Sequence, residues 1–348
     1  MKLTINFAIA GCGLISRLHL EAIRDIEDAR LTGVFDTDPE AAHKTAAEWN
    51  AKAYGSYAQL LADKSVDAVC ICTPSFLHAD LARQAIAAGK HVLVEKPLAL
   101  HLADCDDLVA MAERTGVQVG VVSQLRFSPA IRKVKKALGD GVLGRLTRAD
   151  LYMKYYRPQA YYDGGAWRGT WEKDGGGALM NQGIHGVDLL LYLMGPVKSI
   201  YALGGTLARD IEVEDTLSAV LGYQNGAIGV VEASTADWPG APRRLEINGE
   251  YGQIVLEEDR VAVFRVEDGQ NYSLCEEKQG LAATHNDPSQ IDPAGHREQL
   301  KNFISAVRGD TQLLVDAHAG RAAVQLVLAA YHSQKTGLPV ALDEAVLR

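Results

Sequence analysis

Short apolar runs and amphipathic stretches alternate through the first third of the chain. Ile5–Ala10 reads as a buried strand, Ile15–Ile26 as a helix and Ala29–Phe35 as a second strand. A helix over Pro39–Trp49, a strand over Val66–Thr73 and a helix over Leu77–Ala88, closed by Gly89, follow. Next come a strand at His91–Glu95, a helix from Leu102 to Arg114 and a strand at Val117–Val122. Strands that are apolar at successive positions and joined by helices belong to a parallel sheet covered on both faces. The pattern predicts a doubly wound α/β domain of the nucleotide-binding kind over residues 1–123.

Beyond that point strands follow one another: Arg145–Tyr156, Val197–Leu207, Thr216–Tyr223, Ala227–Thr235, Arg243–Asn248, Gln253–Glu257 and Val261–Val266. Asn225-Gly226 between two of them is a hairpin signal, because both residues tolerate positive φ. Helices are expected at Ala178–Met194, His296–Arg308 and Ala317–Gln334, and an exposed loop over Lys278–Gly295. Residues 124–348 therefore read as an α+β domain with a mostly antiparallel open sheet. Ala219-Val220-Leu221-Gly222 and Ile228-Gly229-Val230-Val231 are apolar at successive positions, which suggests burial on both faces. A homodimer or homotetramer through that sheet is the expectation.

Length supports the division, since 348 residues exceed what one core usually holds. A net charge of −9 argues against nucleic acid or an anionic membrane as partner. It leaves room for a basic pocket that takes an anionic small molecule. No apolar run approaches the roughly 20 residues of a membrane span, and Met1–Ala10 has no signal-peptide pattern. The five cysteines, Cys12, Cys70, Cys72, Cys105 and Cys275, are scattered. Cys70 and Cys72 have the wrong spacing for a redox or zinc motif and are expected to be buried thiols, as in a reducing cytoplasm.

The chemistry starts at the turn after the first strand. Gly11-Cys12-Gly13-Leu14-Ile15-Ser16 allows a tight turn and close approach of backbone to a pyrophosphate at a helix N-terminus. An ordinary strand-to-helix turn is the bland alternative, and Ser16 stands where a third Gly or Ala is usual. Asp36, ending the second strand, tips the balance, because a carboxylate there accepts from ribose hydroxyls. Asp38 adds a second carboxylate that would repel a 2′-phosphate, so NAD is expected rather than NADP. Thr73, Pro74, Ser75 and His78 end the third strand, and Glu95-Lys96-Pro97 the fourth. Both lie at carboxyl ends of parallel strands, where open α/β sheets bind ligands. A structural Lys–Glu ion pair is the alternative for Lys96.

A third constellation runs from Asp174 through Gly175-Gly176-Gly177 to Asp188. Met180, Ile184, Val187, Leu191 and Met194 form a core-facing stripe, and Asn181, His185 and Asp188 a polar stripe about 100° round the helix. The glycines let backbone approach another segment or a ligand. No third ligand has the spacing to join His185 and Asp188 around a metal, so none is expected.

Taken together, Gly11-Cys12-Gly13, Thr73-Pro74-Ser75 with His78, Gly89–Pro97 and the glycine run before His185 and Asp188 resemble the Gfo/Idh/MocA oxidoreductases over nearly the whole chain. The resemblance implies a Rossmann domain followed by an open-sheet domain that often forms the oligomer interface. It implies that Lys96 orients substrate, that His185 exchanges the hydroxyl proton, and that Lys96-Pro97 is a candidate cis bond. Cofactor contacts fall to Gly11, Gly13, Leu14, Ile15, Asp36, Thr73, Pro74, Ser75, His78, Glu95 and Lys96. Many members carry Asp where this chain has Asn181, and Asn also occurs in relatives resembling dehydrogenases of nucleotide-linked amino-sugar uronates. A neutral amide stabilises imidazolium less than a carboxylate does.

Arg157, Arg168 and the aromatics Tyr155, Tyr156, Tyr161, Tyr162, Trp167 and Trp171 form either an anion-binding wall or loop packing. The expected substrate contacts are Lys96, Trp167, Arg168, Asn181 and His185. The expected activity is NAD-dependent hydride transfer at a hydroxyl-bearing carbon of a sugar, cyclitol or sugar-nucleotide uronate. The rivals are an NAD-using glycosidase without net redox change and a non-catalytic NAD- and sugar-binding regulator.

Overall fold

The computed structural model describes residues 4–267 and 293–342. The chain divides into two compact units, Met1–Gln124 with Asp292–Arg321, and Leu125–Ile291 with Ala322–Arg348.

The first unit opens with β1 (Ile5–Ala10), α1 (Ser16–Arg24), β2 (Ala29–Phe35), α2 (Pro39–Glu48), β3 (Lys52–Ala53) and α3 (Tyr57–Ala62). It continues with β4 (Ala68–Ile71), α4 (His78–Ala87), β5 (His91–Val94), α5 (Leu102–Thr115) and β6 (Val119–Val121). The sheet order is β3-β2-β1-β4-β5-β6, with every pair parallel. All four residues of β4 are buried, as a strand covered on both faces requires. The order reverses between β1 and β4, so their carboxyl ends flank a switch-point crevice, where open α/β sheets take ligands. The sequence pattern did not show β3 and α3: two and six residues are too short to carry a period, although Ser56 caps α3 by accepting from the Gln59 amide.

The second unit contains α6 (Pro129–Gly139), β7 (Leu146–Lys154), α7 (Gln159–Asp163), a π-helical stretch at Ala178–Gly183 and α8 (Ile184–Met194). Then come β8 (Val197–Gly205), β9 (Thr216–Tyr223), β10 (Ile228–Ser234), β11 (Arg244–Gly249), β12 (Gly252–Glu257) and β13 (Arg260–Val266). The helix α6 went unread in the sequence. α8 seats closely on β7 because Gly186 has no side chain; a Cβ there would lie 2.5 Å from Met153 Sδ.

Two helices complete the described chain, α9 (Pro293–Val307) and α10 (Ala317–Thr336), followed by β14 (Val340–Ala341). The second sheet runs β13-β12-β11-β7-β10-β9-β8-β14, antiparallel except for the parallel pair β7–β10. On one face Leu217, Ala219, Leu221, Val231, Ala233 and Leu151 are buried. On the other Leu203, Val220 and Ile228 are 55–60% exposed. α9, expected with the second domain, packs with the first unit instead. Its Leu300, Phe303 and Ile304 enter the cluster of Ile5, Phe7, Leu20 and Ile23, a pairing of distant segments that local periodicity cannot reveal. Cys70 and Cys72 are buried free thiols; Cys275 and residues 278–292 of the expected loop lie outside the described residues. Among the described residues no helix is long and apolar enough to cross a membrane.

Candidate functional site

The turn after β1 is built by two glycines with different surroundings. Gly11 adopts φ +96°, and a Cβ there would lie 2.7 Å from the Cys72 carbonyl oxygen, so only glycine lets β1 and β4 end this close together. A Cβ on Gly13 would meet nothing within 4 Å. The protein itself does not need Gly13, and the open space beside it suits a bulky ligand group. Ser16 is buried and its hydroxyl donates to the Gly13 carbonyl at 2.6 Å, which accounts for a serine where a third glycine is usual. Leu14 is exposed and Ile15 packs against the core. Among the described residues no side chain caps the start of α1.

Asp36 is fixed before any ligand arrives. Its Oδ2 accepts from the Cys12 amide at 2.7 Å and its Oδ1 from the Asp38 amide at 2.9 Å. Asp38 caps α2 by accepting from the Glu40 amide at 2.9 Å. At the end of β4 the Thr73 hydroxyl is buried and has no hydrogen-bond partner among the described residues. Pro74 leads into a 3₁₀ turn, Ser75–Leu77. An open glycine, an oriented carboxylate and an unmatched buried hydroxyl round one crevice fit a dinucleotide.

His78 is buried, with Nδ1 2.7 Å from the Pro97 carbonyl oxygen and Nε2 2.9 Å from that of Thr73. Burial lowers its pKa against the raising effect of these two carbonyls, and a neutral ring can donate to only one of them. The Lys96–Pro97 bond is cis. Glu95, also buried, faces His19 Nε2 at 2.8 Å, and its Oε2 accepts from the Lys96 amide at 3.3 Å. Burial alone would raise the carboxyl, but the His19 hydrogen bond and the charges of His19, His296 and Lys96 outweigh it and hold it at about 2. His296 of α9 stands edge-on to His19, with ring centroids 5.6 Å apart. His19, Glu95 and His296 each bring one ligand-type atom within 4.8 Å of the others, in a cluster already closed by the His–Glu hydrogen bond.

In the second unit the stretch expected as one regular helix is broken. Ala178–Gly183 is π-helical and α8 starts only at Ile184, so Asn181 and His185 do not follow α-helical spacing. The glycine run leads directly into the π-helical stretch. A Cβ on Gly176 would lie 2.2 Å from the Tyr331 hydroxyl, and one on Gly177 1.9 Å from the Glu214 carbonyl oxygen. Glu214 Oε2 accepts from the Gly177 amide at 2.9 Å and Oε1 from the Leu179 amide at 2.8 Å. The Glu214 carbonyl takes the Ala178 amide at 2.9 Å, and Tyr331 Oη the Met180 amide at 3.0 Å.

Asn181 and His185 are half-buried, whereas Asp188 is buried and held by Arg126, Nε to Oδ2 at 2.8 Å and Nη2 to Oδ1 at 2.6 Å. The π-helical turn sets Asn181 apart from the stripe, while His185 and Asp188 stay three residues apart on α8. Asn181 Nδ2 donates to Asp174 Oδ1 at 2.6 Å, and its Oδ1 accepts from Gln182 Nε2 at 3.1 Å. Gln182 also donates to Tyr161 Oη at 3.0 Å and accepts from Arg157 Nη2 at 2.9 Å. Asp174, Gln182, Glu214 and Tyr331 were assigned no role in the sequence. Asp174 and Gln182 flank recognised positions and were within reach of sequence reasoning; Glu214 and Tyr331 were not.

Much of the aromatic segment is packing. Tyr155 and Tyr162 are buried packing, the latter bonded to Thr235 Oγ1 at 2.7 Å. Arg157 is buried too, donating to the Tyr156 carbonyl at 2.8 Å. Arg168 is half-buried, donates from Nη1 to the Tyr161 carbonyl at 3.0 Å, and lies 4.5 Å over the Tyr161 ring and 5.5 Å from that of Trp167. Trp171 stacks edge-on upon Tyr331 at 5.2 Å.

Residues 5–123 match the model of an oxidoreductase family with an NAD-binding Rossmann fold, and residues 131–255 match the GFO/IDH/MocA C-terminal domain. The WlbA dehydrogenase from Bordetella pertussis, solved with NADH and UDP-GlcNAcA, is 34% identical, with 99% of each chain covered and a TM-score of 0.88. Its counterpart from Chromobacterium violaceum, also with NADH and UDP-GlcNAcA, is 31% identical over 98% of this chain and 96% of that one, with a TM-score of 0.86. Myo-inositol 2-dehydrogenase of Thermotoga maritima is 27% identical over 98% of this chain and all of its own. The chain belongs to the GFO/IDH/MocA family and is an NAD-binding oxidoreductase.

Proposed function

We propose that the protein oxidises a ring hydroxyl of a nucleotide-linked amino-sugar uronate. The observation that carries the reading is the pairing of Asn181, held by Asp174 and Gln182, with Arg168 stacked on Tyr161 and Trp167. The neutral amide is linked through Gln182 and Tyr161 to a stacked cation, a combination suited to a sugar carboxylate. The 34% identity to a dehydrogenase solved with UDP-GlcNAcA supports the same substrate class.

NAD supplies the hydride acceptor. Asp36 accepts from the ribose hydroxyls, and Gly13 leaves room for the pyrophosphate. Lys96 donates a hydrogen bond to the reacting oxygen, and His185 takes the hydroxyl proton. The exposed apolar face of β8, β9 and β10 supports a homo-oligomer formed through that sheet.

The test is a panel of UDP-GlcNAcA, neutral UDP-GlcNAc and inositols with NAD, followed by NADH absorbance. The reading expects turnover with the uronate and little with the others. Turnover of inositols without turnover of the uronate would remove it.

A further inference from the structure

We infer that Glu214 and Tyr331 are positioning residues for the Asn181–His185 segment, forming one cap that sets where these side chains stand. The inference rests on the reading that His185 is the base.

A helix begins with amides that lack partners, and an ordinary side-chain cap satisfies one of them. Here four successive amides, Gly177 to Met180, are met by one glutamate and one tyrosine. Glu214 stands two residues before β9, next to Asp215, whose amide donates to the Gly205 carbonyl of β8 at 3.1 Å; Tyr331 belongs to α10. The Asn181 amide in turn donates to the Gly177 carbonyl at 3.0 Å, so the capped residue carries Asn181 directly.

The geometry is that of an ionised carboxyl. The Gly177 amide, the Leu179 amide and the Tyr331 hydroxyl (2.8 Å) all donate to it, and both oxygens act as acceptors. A protonated carboxyl must itself donate, which leaves one of those donors without its acceptor. Burial pushes Glu214 up to about 7, against the lowering effect of these hydrogen bonds, so the cap changes state within the working range of pH. The titratable group facing it is Tyr331, itself raised by burial and by Glu214 and influenced by Asp174. Neighbouring Asp215 is turned to the amides of Leu207, Ala208 and Arg209.

The test compares single-turnover hydride transfer in wild type and Glu214→Gln between about pH 5.5 and 9, with UDP-GlcNAcA and NAD. Glutamine imitates the neutral acid, and any titration of His185 is common to both proteins. The wild-type to Gln ratio should be near one at the acid end. It should climb through about pH 7 to a plateau on the order of 10–100-fold. NAD affinity should stay unchanged. Tyr331→Phe keeps the stack on Trp171 but removes a hydrogen bond that favours the carboxylate, so its rising limb should move to higher pH; it carries the test if Glu214→Gln does not fold. A pH-independent ratio in folded Glu214→Gln, or an unmoved limb in Tyr331→Phe, would overturn the inference. Amide hydrogen exchange over residues 177–180 at pH 8 reads the cap without reference to His185. Faster exchange in Glu214→Gln is expected, and faster exchange with an unchanged rate ratio would also overturn the positioning role. Full activity of His185→Ala would instead sink the functional reading and leave the exchange result standing.

Discussion

Two glycine-rich segments begin the two functional regions, and they are glycine-rich for different reasons. Around Gly11–Gly13 one Cβ volume is filled by the Cys72 backbone and the other is empty, so Gly13 is free to serve a ligand. Around Gly176–Gly177 both volumes are filled by the protein itself, through Tyr331 and Glu214. The first is a cradle and the second a joint. A glycine's meaning depends on what occupies the space its side chain would take, which sequence alone does not state.

The comparison can be broken by alanine at each position. Gly177→Ala should have the largest effect, because the new Cβ meets a backbone oxygen with no flexible side chain to yield. Overpacking of this kind costs about 1–3 kcal/mol or more. The expected result is a melting temperature lower by roughly 5 °C or more and loss of turnover, with NAD affinity kept in the folded fraction. Gly13→Ala should behave in the opposite way. Its melting temperature should hardly move, while NAD binding weakens on the order of 10–100-fold, about 1.4–3 kcal/mol. A stable, active Gly177→Ala, or a Gly13→Ala that binds NAD normally, would erase the distinction.

Asp36→Ala sharpens the cradle with a smaller effect. Removing the carboxylate proposed to accept from the ribose should weaken NAD roughly 10-fold and weaken NADP less, narrowing the preference between them. Calorimetric titration of both cofactors at low salt measures it; an unchanged ratio would mean that Asp36 does not select the cofactor.

The cradle was largely legible in the sequence. Its parts lie next to strands whose period is plain, and each role follows from a local turn: Gly11, Gly13, Asp36 and Thr73 all lie within three residues beyond the ends of β-strands of one parallel sheet. The joint was only half legible. The glycine run marked a close approach, but its occupants, Glu214 and Tyr331, are 37 and 154 residues beyond Gly177, and neither carries a local signature. Glu214 looks like any acid ahead of a strand until its burial is known. The ion pair of Asp188 was hidden for the same reason, since its partner Arg126 precedes it by 62 residues. The π-helical stretch displaced the spacing that local reading assumed. α9 joined the first unit through Phe303 and Phe7, whose rings lie 6.1 Å apart across almost the whole sequence.

The most direct test of the account is single-turnover hydride transfer in His185→Ala and Lys96→Met, each with its NAD dissociation constant measured alongside. Neither residue is proposed to hold the adenosine half, so NAD affinity should remain close to wild type. Hydride transfer should fall by about 10²–10⁴-fold at His185, the usual scale of acid–base assistance. It should fall strongly at Lys96 as well, which is proposed to orient the reacting oxygen. A His185→Ala enzyme that transfers hydride at the wild-type rate would contradict the account.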